Sequence, residues 1–169
     1  RTLKEALRER SFFPAEELSA KMLPLIHTLG KIHRAGVIHR DISPDNIMEL
    51  PDGSLKLFDF GAAKNYGEQE GASSVIVKGG YAPPEQYQAN GEQGPWTDVY
   101  GLCATMYACL AGREPEDALS RVLDDELQPP SAHNPLLPGA VDEVLMKGLS
   151  LEPEERYASM EELEEAVRG

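Results

Sequence analysis

Basic residues are scarce in this sequence: 16 Lys and Arg stand against 29 Asp and Glu, a formal net charge of −13. A surface that acidic repels phosphate backbones and anionic headgroups, which excludes nucleic acid and an anionic membrane as main partners. Cysteine is scarcer still. Cys103 and Cys109 are the two present, and six residues of straight helix separate their Cα atoms by about 9 Å, too far for a disulfide. They read as small buried hydrophobes. Nothing calls for an oxidising compartment, and a cytoplasmic setting is expected. No apolar run approaches the length of a membrane span, so no membrane contact is expected, and no signal peptide is visible. The histidines lack metal-ligand spacing, and His27, His33 and His133 read as surface or packed side chains. No internal repeat divides the chain, and 169 residues suffice for one domain with a real core.

What is present is concentrated between His39 and Gly61. His39-Arg40-Asp41-Ile42-Ser43-Pro44-Asp45-Asn46 is followed by two short apolar-rich runs, Ile47 to Leu50 and Leu55 to Phe58. Pro51-Asp52-Gly53-Ser54 lies between them, and Asp-Gly is a strong hairpin signal. A hairpin brings its ends together. Asn46, just before the first strand, then lands beside Asp59, just after the second. Two hard oxygen ligands at one open end, with the remaining positions left to water and phosphate, form a donor set that suits Mg²⁺. Asp41 lies on the same loop, where it can reach a hydroxyl while the other two hold the metal.

The rest of the chain reads as mostly helical. Thr2 and Glu5 form a capping box for a helix ending near Arg10. Pro14 opens a longer helix, with Leu18, Met22, Leu25, Ile26, Leu29 and Ile32 on one face and a kink expected at Pro24. Residues 62–78 are polar and Gly-rich and read as a loop. From Trp96 to Ala111 the chain is apolar on nearly every face, the pattern of a buried helix, begun by Thr97 or Asp98 and closed by Gly112. Residues 116–127 read as an exposed acidic helix. Val141, Val144, Leu145 and Gly148 give another helix face. Ser159 and Glu162 cap a final helix that turns Met160, Leu163 and Val167 inward.

Taken together, these motifs resemble a eukaryotic-like serine/threonine protein kinase of the bacterial type. The likeness rests on H-R-D-x-x-x-x-N at 39–46, on Asp59-Phe60-Gly61, on Pro83-Pro84-Glu85, on Asp98 at the start of the central helix and on Arg156. It covers essentially all 169 residues and implies an α+β, mainly helical C-terminal lobe. In that lobe a small hairpin carries the catalytic loop and packs on a central helix at about 97–111. Residues 59–85 would be the activation segment. The resemblance implies that Asp41 orients or deprotonates the attacking hydroxyl, that Asn46 and Asp59 hold Mg²⁺, and that Met48 lies against the adenine of ATP. It further implies that Glu85 pairs with Arg156 and that Asp98 accepts hydrogen bonds from the loop backbone. His39, Arg40, Phe60 and Gly61 would belong to the structural and regulatory frame. Arg40 could meet a phosphate on the segment, with Ser73 and Ser74 as acceptors.

Two departures stand out. The sequence contains no Gly-rich loop, strand Lys or paired helix Glu of the kind that covers and orients ATP phosphates. It is therefore read as the lobe of a parent kinase, inactive alone. The face that meets the missing N-lobe, near Met48 and Phe60, would then be free to self-associate. In addition, Ser43 stands where such kinases usually carry a Lys, and Lys78 stands where they usually carry a Thr. The cation and the hydroxyl look exchanged, with Lys78 supplying the charge. Alternatives to a protein-phosphorylating parent are a pseudokinase or docking module and a small-molecule kinase. The intact Asp41, Asn46 and Asp59 speak against the first. Glu85 and Arg156 speak against the second.

Overall fold

The structure, a computed structural model, describes residues 1–60, 63–65, 78–88 and 91–169. Gly61, Ser73 and Ser74 lie outside the described residues. Helix α1 (Leu3–Arg10) opens with the capping box: the Glu5 N–H donates to the Thr2 hydroxyl at 3.1 Å, and the Thr2 N–H donates to the Glu5 carboxylate at 2.8 Å. Helix α2 (Ala15–Arg34) buries Leu18, Met22, Leu25, Ile26 and Leu29 along one face. It continues as one helix through Pro24, for a local reason. Pro24 and Ala20, whose carbonyl loses its helical donor, both lie on the exposed face, where water can replace the missing N–H.

Strand β1 (Val37–Ile38) leads into the 39–46 loop, which ends in a 3₁₀ turn at Pro44–Asn46. Strands β2 (Ile47–Glu49) and β3 (Leu55–Leu57) form the antiparallel hairpin, in the register Ile47 with Leu57, Met48 with Lys56 and Glu49 with Leu55. The turn closes through the Leu50 N–H to the Ser54 carbonyl at 2.8 Å. Arg1 and Thr2 lie along the outer edge of β2: the Glu49 N–H donates to the Arg1 carbonyl at 2.7 Å, and Thr2 bridges Met48. The reading of 62–78 as wholly loop is corrected at one point. Strand β4 (Lys64–Asn65) pairs with β1, an edge that the apolar pattern of the sequence does not announce.

Helix α3 (Pro95–Ala111) is the centre of the molecule, with every residue from Thr97 to Ala111 buried. It begins two residues before the expected Thr97, because Pro at the first turn needs no N–H donor. Thr97 acts from inside the helix, its hydroxyl accepting the Gly94 N–H at 3.2 Å. Helix α4 (Ala118–Leu123) is shorter than the expected 116–127 span and not wholly exposed: Ala118 and Arg121 are buried. Arg121 donates to the Tyr100 hydroxyl at 3.0 Å and the Leu149 carbonyl at 2.7 Å, so a charged residue anchors a surface helix to the core. Helix α5 (Gly139–Gly148) crosses α3 so closely that a Cβ on Gly148 would lie 2.2 Å from Cys103 Sγ. Helix α6 (Met160–Arg168) packs on α2 and turns Met160 and Leu163 inward. The mainly helical α+β arrangement expected from the sequence, a small hairpin with helices around a central one, is the arrangement observed. Burial pushes the thiols of Cys103 and Cys109 up to about 12, so both behave as packing groups. No described helix is long and apolar enough to cross a membrane.

Candidate active site

The 39–46 loop is held from below by helix α3. Asp98, 1% exposed, accepts the His39 N–H at 2.8 Å on one carboxylate oxygen and the Arg40 N–H at 2.9 Å on the other. His33 of α2 lies 2.7 Å from the same carboxylate through Nε2. These contacts hold Arg40 at φ 70°, a left-handed conformation that a long side chain adopts at some cost. Gly101, one turn further along α3, allows the loop to sit directly on the helix: a Cβ there would lie 3.2 Å from both Cβ and the carbonyl oxygen of Ile42. Gln86 adds a bond from above, donating to the Arg40 carbonyl at 2.8 Å.

The hairpin then brings its far end back to the loop. The Phe58 N–H donates to the Asn46 carbonyl at 3.0 Å, so Asp59 follows directly from a residue paired with Asn46. His39 ties the two stretches together. Its Nδ1 accepts the Asp41 N–H at 3.1 Å, which leaves Nε2 to carry the ring proton and donate to the Phe58 carbonyl at 3.0 Å. The Phe60 ring packs edge-on against the same imidazole, with centroids 4.7 Å apart. Asp59 is exposed and has φ 61°, which Asp tolerates better than most residues.

Within the loop, Asn46 donates through Nδ2 to the Asp41 carbonyl at 2.7 Å. That bond fixes which end of the amide is the donor and leaves the amide oxygen as the end able to ligate a cation. Asn46 and Asp59 carry hard oxygens of the kind Mg²⁺ takes, one or two from protein with its shell completed by phosphate and water. Among the described residues no group of three or more His, Cys, Asp or Glu side chains could form an all-protein cage. Met48, half-buried, sits on β2 just past Asn46. Lys78 reaches the loop from the later segment: its ammonium lies 3.3 Å from Asp41 Oδ1, 3.3 Å from Ser43 Oγ and 3.8 Å from Asp45 Oδ2. Beside them opens a cleft of about 340 Å³, walled by Leu7, Asp45, Tyr81 and Glu114. Burial, with Glu114 nearby, pushes the Tyr81 phenol up, so it stays un-ionised.

A second constellation fastens the Pro84–Tyr87 turn to the late helices. Arg156 forks onto Glu85 at 2.7 and 3.0 Å and donates to the carbonyls of Ser150, Leu151 and Trp96. All five guanidinium N–H groups are thereby used. The Thr97 hydroxyl donates to Glu85 Oε2 at 2.9 Å.

Residues 1–166 match the family described as the protein kinase domain. The chain belongs to that family. It is 34% identical over 165 residues to the serine/threonine-protein kinase PknL of Mycobacterium tuberculosis, covering 93% of this chain and 41% of PknL. It is 31% identical over 181 residues to the tyrosine-protein kinase MasK of Myxococcus xanthus, covering 98% of this chain and 28% of MasK. A solved chain described as the PpkA-294 apo form superposes with a TM-score of 0.81 at 29% identity, over 98% of this chain and 59% of that one. The kinase-domain chain therefore spans less than half the length of these curated relatives.

Of the side chains picked out from the sequence, Asp41, Ser43, Asn46 and Lys78 converge on one loop. Asp59 and Phe60 join it through the hairpin. Glu85, Asp98 and Arg156 form its supports. Three supports were not picked out: His33, Gln86 and Thr97. His33 had a weak signal, because it falls on the buried stripe of α2 one turn beyond Leu29. Gln86 and Thr97 had none, since their partners are distant in sequence.

Proposed function

We propose that this kinase-domain chain is the C-terminal lobe, with residues 59–85 as its activation segment, of an enzyme that moves the γ-phosphoryl group of ATP to a protein hydroxyl. The observation that carries this reading is the shared geometry of one loop and one hairpin. Asn46 is bonded to the Asp41 carbonyl at 2.7 Å and accepts the Phe58 N–H at 3.0 Å, so the backbone just before Asp59 lies beside the loop that carries Asp41 and Asn46. Asp41 receives the acceptor hydroxyl and its proton. Asn46 and Asp59 would hold Mg²⁺, which when bound supplies charge neutralisation across the phosphate oxygens. Met48, just past Asn46 on β2, offers an apolar surface for the adenine. Asp98 and His39 keep the loop in place while the acceptor changes.

Pro83-Pro84-Glu85 and the Arg156 fork support a protein acceptor over a small molecule, since they organise a surface beyond the phosphate site. Relatives carrying serine/threonine and tyrosine kinase names bracket the acceptor; serine and threonine are the hydroxyls we infer. A cytoplasmic setting fits a reaction that draws on ATP. The 169 residues contain no Gly-rich phosphate-covering loop, so the isolated chain is expected to be inactive, with a nucleotide-covering lobe as its necessary partner. The test is ATP-dependent labelling of protein acceptors by the full-length protein, followed by phosphoamino-acid analysis. Transfer to Ser or Thr, abolished by Asp41→Asn and absent from the 169-residue chain, is expected. A full-length Asp41→Asn variant as active as wild type would overturn the reading.

A further inference from the structure

We propose that Lys78 is the cation that contacts the moving phosphoryl group, brought to the catalytic loop by its own turn. This rests on the kinase reading above. The loop from Asp41 to Asn46 contains two carboxylates, a hydroxyl and an amide but no cation. No side chain between Asp41 and Asn46 can neutralise charge built up on a transferring phosphoryl group.

Lys78 fills that gap from 35 residues beyond Ser43. Its ammonium sits between Asp41 Oδ1 and Ser43 Oγ, at 3.3 Å from each. Among the described cations, Lys4 also approaches the loop, but it pairs with Asp45 at 3.4 Å rather than with Asp41. Ser43 is fully buried and small, which leaves room for an incoming amine where a longer side chain would fill the space.

The backbone of Lys78 is also fixed. Its carbonyl accepts the N–H of Tyr81 at 3.1 Å and of Ala82 at 3.0 Å, and Ala82 is buried. A solvated loop lysine has neither a doubly bonded carbonyl nor three partners on one loop. The side chain is 35% exposed, so it can shift by the ångström or so needed to follow a phosphoryl oxygen.

The step balances without another reagent. A lone pair of the acceptor oxygen forms the new O–P bond while the bond from the γ-phosphorus to the bridging oxygen breaks, its electron pair leaving on ADP. The hydroxyl proton passes to Asp41. Lys78 neutralises charge on a non-bridging oxygen and exchanges no proton. Before the acceptor arrives, the same ammonium pairs with the Asp41 carboxylate and holds it in line.

The test uses the full-length protein and two readouts. Removing one such preorganised donor costs about 100-fold or more in rate. Lys78→Met should therefore lower turnover by about 100-fold, and should lower affinity for ADP with magnesium and aluminium fluoride, a mimic of the moving group, by about the same factor. Affinity for ADP alone, read by calorimetry, should stay unchanged. Ser43→Lys combined with Lys78→Thr returns the charge to the loop and should recover turnover and mimic binding well above Lys78→Met. Wild-type turnover and mimic binding in Lys78→Met would overturn the proposal, as would equal loss of ADP and mimic binding with no recovery in the exchanged variant, which marks a structural lysine. Wild-type protein without transfer activity, or an active Asp41→Asn, would instead sink the kinase reading.

Discussion

Asp98 shows how much one buried carboxylate can organise. It accepts two backbone N–H groups and faces the His33 ring, all within a site closed to water. Replacing it with Ala leaves several buried polar groups without an acceptor, each costing about 1–3 kcal/mol. Asp98→Ala should therefore lose about 3 kcal/mol or more in urea unfolding of the isolated chain. Asp98→Asn should recover only part of that loss, because an amide has a single acceptor oxygen for two N–H groups. The supported residues follow a different logic. Lys78 borders the cleft and pairs with Asp41, and substitution of either should change turnover far more than stability.

Among the elements, the fork between Arg156 and Glu85 joins the Pro84–Tyr87 turn to the segment before α6, with both side chains buried. Breaking one half of such a pair costs about 3–5 kcal/mol, so Arg156→Ala should lower the unfolding free energy by that amount, measured by denaturant titration. The contact of α3 with α5 is set by volume. Gly148→Ala drives a methyl into Cys103 Sγ and should cost about 1–3 kcal/mol. Adding Cys103→Ala frees that space, so the double variant should lose less than the sum of the two single changes. Helix α4 carries a pH signature. Hydrogen bonds from Arg121 hold the Asp125 carboxyl below its ordinary value of 3.8, against desolvation, which pushes the other way. A depressed carboxyl stabilises the fold above its unfolded value and loses that contribution as pH falls through its folded value. Asp125 is 43% exposed and so well screened, and the difference between wild type and Asp125→Asn should be only about 0.5 kcal/mol at pH 6 and shrink as pH falls below the carboxyl's ordinary value.

For the molecule as a whole, Phe60 is a large apolar side chain left 44% exposed beside the site, packed edge-on against His39. We expect the isolated 169-residue chain to self-associate through this face as concentration rises, and Phe60→Ser to reduce the scattering. A clean monomer by light scattering at high concentration would count against it.

The sequence by itself determined the elements whose signals are local: the capping box at Thr2 and Glu5, the amphipathic face of α2, the Asp-Gly hairpin and the all-round apolar helix α3. It also brought the backbone at Asn46 beside the end of the second strand, because fixed offsets across a hairpin constrain where the chain returns. The short α4 and the pairing of β4 with β1 were not legible, since each depends on a partner far along the chain, whereas the early start of α3 follows from the local Pro95. The same holds for the supports of the site. Nothing in the sequence near Gln86 or Thr97 points to this role and His33 shows only its place on the buried stripe of α2, so only packing α2, α3 and the 84–87 turn around one loop brings them to it. The place of Lys78 was decided the same way: its turn had to fold against the catalytic loop before an ammonium could stand between Asp41 and Ser43.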